Sequence, residues 1–137
     1  MARILAIDYG LKRTGLAVSD IEGIIAMPLT TVRTIDLDVF LNNYIKKENI
    51  KTIVIGFPRR LNNMESHITS NVVNYINKLK KEYPEINIVS IDERFTSKMA
   101  SIAILESGVN RKRRQDKSLV DKVSAAIILQ SFLNKKS

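Results

Sequence analysis

Four acidic residues stand at the ends of apolar runs, where a carboxylate needs a reason to be. Asp8 closes "ARILAID", and Asp92 and Glu93 close "INIVSIDE". Asp121 lies at the start of "SLVDKVSAAIILQSFL". In an open α/β sheet, ligands bind outside the carboxyl ends of the parallel strands. Two strand ends and one helix start therefore offer acids to one place. Clustered carboxylates repel one another and raise their own pKa values, and divalent cations relieve that repulsion. Hard oxygen donors suit Mg²⁺ or Mn²⁺. Two such ions roughly 3.5–4 Å apart activate a water and stabilise the leaving oxygen in phosphodiester hydrolysis.

Each acid also has a structural alternative. Asp8 fits the turn "DYG", although a carboxylate ending an apolar central strand favours function. One of Asp92 and Glu93 can pair with Arg94 or cap a following helix. Adjacent strand residues point to opposite faces, so only one of the two is expected at the site. Asp121 falls in the first turn of its helix. There "SLVD" fits the S-x-x-D capping pattern, and spacing alone favours that structural role. The sole histidine, His67, sits near a helix start, where a surface or capping role is expected. With no cysteine in the chain, a thiol nucleophile, a disulfide framework and a cysteine-ligated metal are excluded.

Basic residues surround these acids. "GLKRTG" puts Lys12 and Arg13 beside Asp8, and "PRR" puts Arg59 and Arg60 after another strand end. "NRKRRQDK" puts Arg111, Lys112, Arg113, Arg114 and Lys117 just before Asp121. Such clusters suit phosphate contacts, which supply affinity with little sequence discrimination. The net charge of +8, from 22 basic and 14 acidic residues, points the same way. No P-loop pattern occurs, and few aromatics lie near these loops, so base stacking is not indicated.

The elements that must hold these groups follow from periodicity. "ARILAIDY" reads as a buried central strand, "GLAVSD" as its hairpin partner, and "GIIAMPLTTV" as a third strand that Pro28 places toward an edge. "DLDVFLNNYIKKEN" has helical spacing, with Asp36 as cap and Asn49 as stop. Strand "IKTIVIGFP", helix "SHITSNVVNYINKLKKEY", strand "INIVSIDE", helix "TSKMASIAILES" and helix "SLVDKVSAAIILQSFLNKK" follow. The order β-β-β-α-β-α-β-α-α predicts a meander followed by parallel crossovers. That is an α/β fold, a mixed five-stranded sheet flanked by helices, closer to a ribonuclease H-like arrangement than to a Rossmann fold. The length of 137 residues predicts a single domain over 1–137. No segment reads as a signal peptide or membrane span, and the expected compartment is the cytoplasm.

Taken together, "AIDYGLKRTGLAVSD", "VIGFP", "DERFTS" and "KSLVDKVSAAIILQSFL" resemble the four signature blocks of the YqgF/RuvX family, over essentially the whole chain. Those bacterial proteins are similar to the Holliday junction resolvase RuvC and are associated with pre-16S rRNA processing. The resemblance implies a ribonuclease H-like fold and a divalent-metal site, Mg²⁺ or Mn²⁺, on Asp8, Glu93 and Asp121. It thereby favours Glu93 over Asp92 and moves Asp121 from cap to ligand. It implies a nuclease acting on the 5′ end of precursor 16S rRNA. Lys12, Arg13, Arg59, Arg94, Arg111, Lys112, Arg113, Arg114 and Lys117 would grip the backbone. Two departures stand out: Asn63 where glycine is usual, and Thr14 where isoleucine is common. The alternatives are a resolvase-like enzyme on branched DNA, and a nucleic-acid-binding ribosome-assembly factor without catalysis. Monomer and homodimer stay equally open.

Overall fold

The computed structural model describes residues 2–58, 65–93 and 117–136. Its strands are β1 (Arg3–Asp8), β2 (Arg13–Ser19), β3 (Ala26–Arg33), β4 (Ile50–Pro58) and β5 (Asn87–Glu93). Its helices are α1 (Leu37–Lys47), α2 (Glu65–Glu82) and α3 (Lys117–Lys136). The five strands form one sheet in the order β3-β2-β1-β4-β5. β1, β2 and β3 pair antiparallel, whereas β1, β4 and β5 pair parallel. The expected meander and crossovers are both present. Pro28 lies in edge strand β3, beside a register shift at Leu16/Ala17, as its missing N–H requires.

β1 is the central strand, and Leu5, Ala6 and Ile7 are fully buried. Its side chains alternate between two cores. Leu5 and Ile7 join Leu16, Val18, Ile53 and Ile55 under Leu37 and Leu41 of α1 and Val72, Tyr75 and Leu79 of α2. Ile4 and Ala6 join Ala17 and Val54 under Ala125, Ile128, Leu129 and Leu133 of α3. No helix among the described residues is long and apolar enough to cross a membrane.

Four local expectations change. β2 begins at Arg13, two residues before the start expected at Gly15, so Arg13 and Thr14 are strand residues. α1 is entered through a 3₁₀ turn at Thr34–Asp36, and Asp36 keeps helical dihedrals with no side-chain cap bond. Asp36 does occupy the N-cap position of α1, but because the turn already delivers the chain in helical geometry its side chain makes no cap bond. Lys117 is the first residue of α3 and not a loop residue. Asp121, four residues on, therefore lies beyond the first turn, where a side chain no longer reaches the free N–H groups of a helix start. The helix expected over 96–107 lies outside the described residues.

Candidate functional site

The strand period decides which residues share a face. Ile4 and Ala6 face α3, so Asp8, two residues on, faces α3 as well. Asp8 is paired with Gly15 on β2, and antiparallel partners share a face. α3 comes close at Gly15. A Cβ added there would lie 2.0 Å from the Asp121 carbonyl oxygen and 2.9 Å from the Lys122 nitrogen. Any side chain at position 15 would collide with the helix backbone. Gly15 thus acts within a strand, by having no side chain, and brings Asp121 of α3 beside Asp8 of β1.

The other neighbour of Asp8 is also a glycine. β1 and β4 pair through Ile7 and Ile55, so one residue further Asp8 comes level with Gly56. Gly56 is paired with Ile91 of β5, and Ile91 packs against the α3-side core. Asp92 and Glu93 are the last two residues of β5, and their side chains lie outside what the structure describes. β5 lies two strand spacings from β1, about 10 Å, with Gly56 between them.

Asp121 already holds a cation. Arg13 Nε donates to its Oδ2 at 2.8 Å. The Arg13 and Asp121 side chains are 42% and 22% exposed, so the pair is worth about 0–1 kcal/mol and exchanges easily. Among the described residues, no three His, Cys, Asp or Glu side chains gather into a metal-binding group. The hard oxygen donors of Asp8 and Asp121 on one face nevertheless have the chemistry that Mg²⁺ or Mn²⁺ takes.

The turn carrying Lys12 is fixed from below. Thr34 Oγ1 donates to the Gly10 carbonyl at 2.6 Å, and the Thr34 N–H donates to the Lys12 carbonyl at 2.9 Å. With its one hydroxyl proton used on Gly10, Thr34 accepts from Thr14 Oγ1 at 3.0 Å. Thr14 is fully buried, and this bond answers its hydroxyl, which accounts for a threonine where an isoleucine is common.

Lys12 is exposed beside the site, and Lys117 begins α3. Arg59, Arg94, Arg111, Lys112, Arg113 and Arg114 lie outside the described residues. Sequence reading missed Arg33 and Thr34. Arg33 is the strand partner of Arg13, and alternation from the core residue Val32 was a signal for its face. Its pairing depended on the hairpin register, which the sequence does not print.

On the opposite face a second polar group lies near the same strand end. Tyr9 stacks at a tilt on Tyr75, ring centroids 5.1 Å apart. Tyr75 Oη donates to Asp38 Oδ1 at 3.1 Å, and Lys78 Nζ bonds Asp38 Oδ2. Burial first, then the Asp38 charge, push the Tyr75 phenol far above the ordinary tyrosine range. It stays protonated and acts as a fixed donor.

Comparison with known proteins places the chain in a family and a fold. The family model RuvX, described as Holliday junction resolvase, matches residues 2–135. A protein of Phocaeicola vulgatus is 51% identical over 136 residues, covering 99% of this chain and 98% of its own. One of Porphyromonas gingivalis is 52% identical over 134 residues, covering 98% and 97%. Both carry the name "Putative pre-16S rRNA nuclease". Among solved structures, T. thermophilus RuvC in complex with a Holliday junction substrate superposes with a TM-score of 0.60 at 14% identity, covering 99% of this chain and 96% of that one. Fowlpox virus resolvase with its junction DNA gives 0.60 at 12% identity, covering 98% of each. At these identities the two structures speak for the fold, which is ribonuclease H-like.

Proposed function

We infer the function from one premise: this chain belongs to the RuvX family. It is a nuclease that hydrolyses phosphodiester bonds in precursor 16S rRNA, as the name of its relatives says of them. Residues 1–137 act as a single ribonuclease H-like domain in the cytoplasm. The observation that carries the reading is the approach of Asp121 to Asp8 across Gly15, beside an exposed lysine and an arginine.

Asp8, Asp121 and Glu93 are the proposed ligands of Mg²⁺ or Mn²⁺. Bound there, a divalent cation supplies Lewis-acid stabilisation of charge on phosphate oxygens and acidifies a coordinated water. The chain does the rest. Asp8 is fixed at the end of the central strand, so its carboxylate is oriented before substrate arrives. The glycines at 15 and 56 put no side chain of their own beside that carboxylate. Lys12 and Arg13 hold the substrate backbone through its phosphates, with Arg59, Arg94, Arg111, Lys112, Arg113, Arg114 and Lys117 proposed to extend that grip.

The test compares wild type with Asp8→Asn on precursor 16S rRNA, with Mg²⁺ or Mn²⁺ and with chelator. Wild type should cut only with metal, and the variant should bind without cutting. Equal cutting by both removes the catalytic site built on Asp8, and binding by both with no cutting leaves a binding factor. The family description favours one further reading, cleavage of branched DNA. A four-way junction in the same assay decides between the substrates.

A further inference from the structure

Arg13 and Arg33 are partners in the β2–β3 ladder. Cross-strand partners share a face with Cβ atoms about 5 Å apart, and like charges in that arrangement destabilise the sheet. Two arginines opposed in this way need an anion. Asp121 serves Arg13. Among the described residues, no acidic side chain pairs with Arg33 or with Lys12.

The opposition is built into the fold. Arg33 is extended, with φ −65° and ψ 137°, and directly precedes Thr34. Thr34 ties this point of the chain to Gly10 and Lys12. A Cβ at Gly10 would lie 2.2 Å from the Arg13 carbonyl, so the turn between β1 and β2 is closed tightly onto Arg13. Lys12, Arg13 and Arg33 are therefore held together at the end of the sheet where Asp8 stands, all three side chains exposed.

We propose that Arg13 and Arg33 form a two-arginine clamp for one backbone phosphate of the bound nucleic acid, with Lys12 at its side. Arg13 reaches the phosphate by leaving Asp121, so its guanidinium exchanges one oxyanion for another. In the free protein Arg13 neutralises Asp121. In the complex Asp121 is released for the role given to it above, and the phosphate takes both arginines. Planar guanidinium forks suit a phosphate, whose oxygens accept two donors at a time. The inference rests on the nuclease reading for what Asp121 does once released, but the clamp itself needs only a phosphate.

Binding of a fluorescent RNA hairpin and a fluorescent four-way DNA junction, titrated over salt in chelator, tests the clamp. Arg33→Ala should weaken binding of at least one probe and flatten its log–log salt slope by about one contact. Arg33→Lys should keep the slope, since the charge remains. Lys47→Ala, at the end of α1 beside the start of β4, should leave binding and slope unchanged. The probe that carries the effect identifies the nucleic acid. An Arg33→Ala slope equal to wild type on both probes overturns the clamp.

The exchange has its own test. Asp121→Asn should tighten binding by up to about fivefold, the ceiling set by a surface ion pair. In an Arg13→Gln background that gain should shrink, because only the general loss of one negative charge remains. An equal gain in both backgrounds overturns the exchange. If wild type cuts neither precursor rRNA nor the four-way junction but Arg33→Ala flattens the slope, the clamp stands and the nuclease reading falls. If Asp8 is required for cutting and the slope is unmoved, the reverse holds. Thermal unfolding of each variant confirms that the fold persists.

Discussion

Toward α1 and α2 the sheet presents Leu5, Ile7, Leu16, Val18, Ile53 and Ile55, while toward α3 it presents Ile4, Ala6, Ala17 and Val54 with glycines at 15 and 56. The first face keeps its helices at a distance with branched side chains and buries most of the apolar volume. The second lets one helix come down onto the backbone at Gly15, at the functional end. Stability and site geometry are thus assigned to different faces. The polar groups follow the same division. On the α1/α2 face Tyr75, Asp38 and Lys78 satisfy one another. On the α3 face Asp121 is held by an arginine that a phosphate can also claim.

The largest expected effect lies on the first face. Leu16→Ala, at a fully buried position, should lower unfolding free energy by about 2–5 kcal/mol, read by denaturant titration. The second face should answer to the opposite change. Gly15→Ala adds a single methyl against the Asp121 backbone and should cost about 1–3 kcal/mol while displacing Asp121, so cleavage should fall more than stability. A Gly15→Ala protein with full stability and activity would break the comparison.

Tyr75→Phe should cost about 1 kcal/mol by removing one donor to Asp38 without changing cleavage. A large loss of activity there would tie the two faces together. Ser124, fully buried on α3, has a hydroxyl with no partner among the described residues. Ser124→Ala should therefore be neutral or stabilise by up to about 1 kcal/mol, seen as an unchanged or raised Tm.

The smallest effect is a pH dependence at the β2–β3 turn. The Ile25 N–H and then the Ile24 N–H donate to Asp20, holding its carboxyl below the usual range. A depressed folded-state pKa gives stability that is present above the unfolded pKa and lost as pH falls through the folded one. NMR titration of Asp20 should show the low midpoint, and Asp20→Asn should remove that part of the acid sensitivity.

Much of this was legible in the chain. Continuous apolar runs marked β1 and β4 as inner strands, Pro28 marked β3 as an edge, and Asp8 stood out because a carboxylate does not end a buried strand without cause. The misreadings share one origin. Asp121 looked like a cap because "SLVD" is a local pattern, but the pattern does not say where the helix begins. Gly15 reads as no more than the first residue of the strand "GLAVSD", because glycine usually acts on its own backbone. Here it acts on a helix more than a hundred residues away. Arg33 drew no notice because its importance lies in which residue it opposes.

The sequence by itself determined which side chains carry charge, which runs are strands or helices, and that acids end strands on an otherwise apolar sheet. Those are properties of a residue and its near neighbours, written in periods of 2 and 3.6. Only the tertiary structure decided that Asp121 lies beside Asp8 and that Arg13 faces Arg33. Each of these depends on strand register or helix docking. The Arg13–Asp121 bond closes across 108 positions, and no local pattern encodes a contact at that separation.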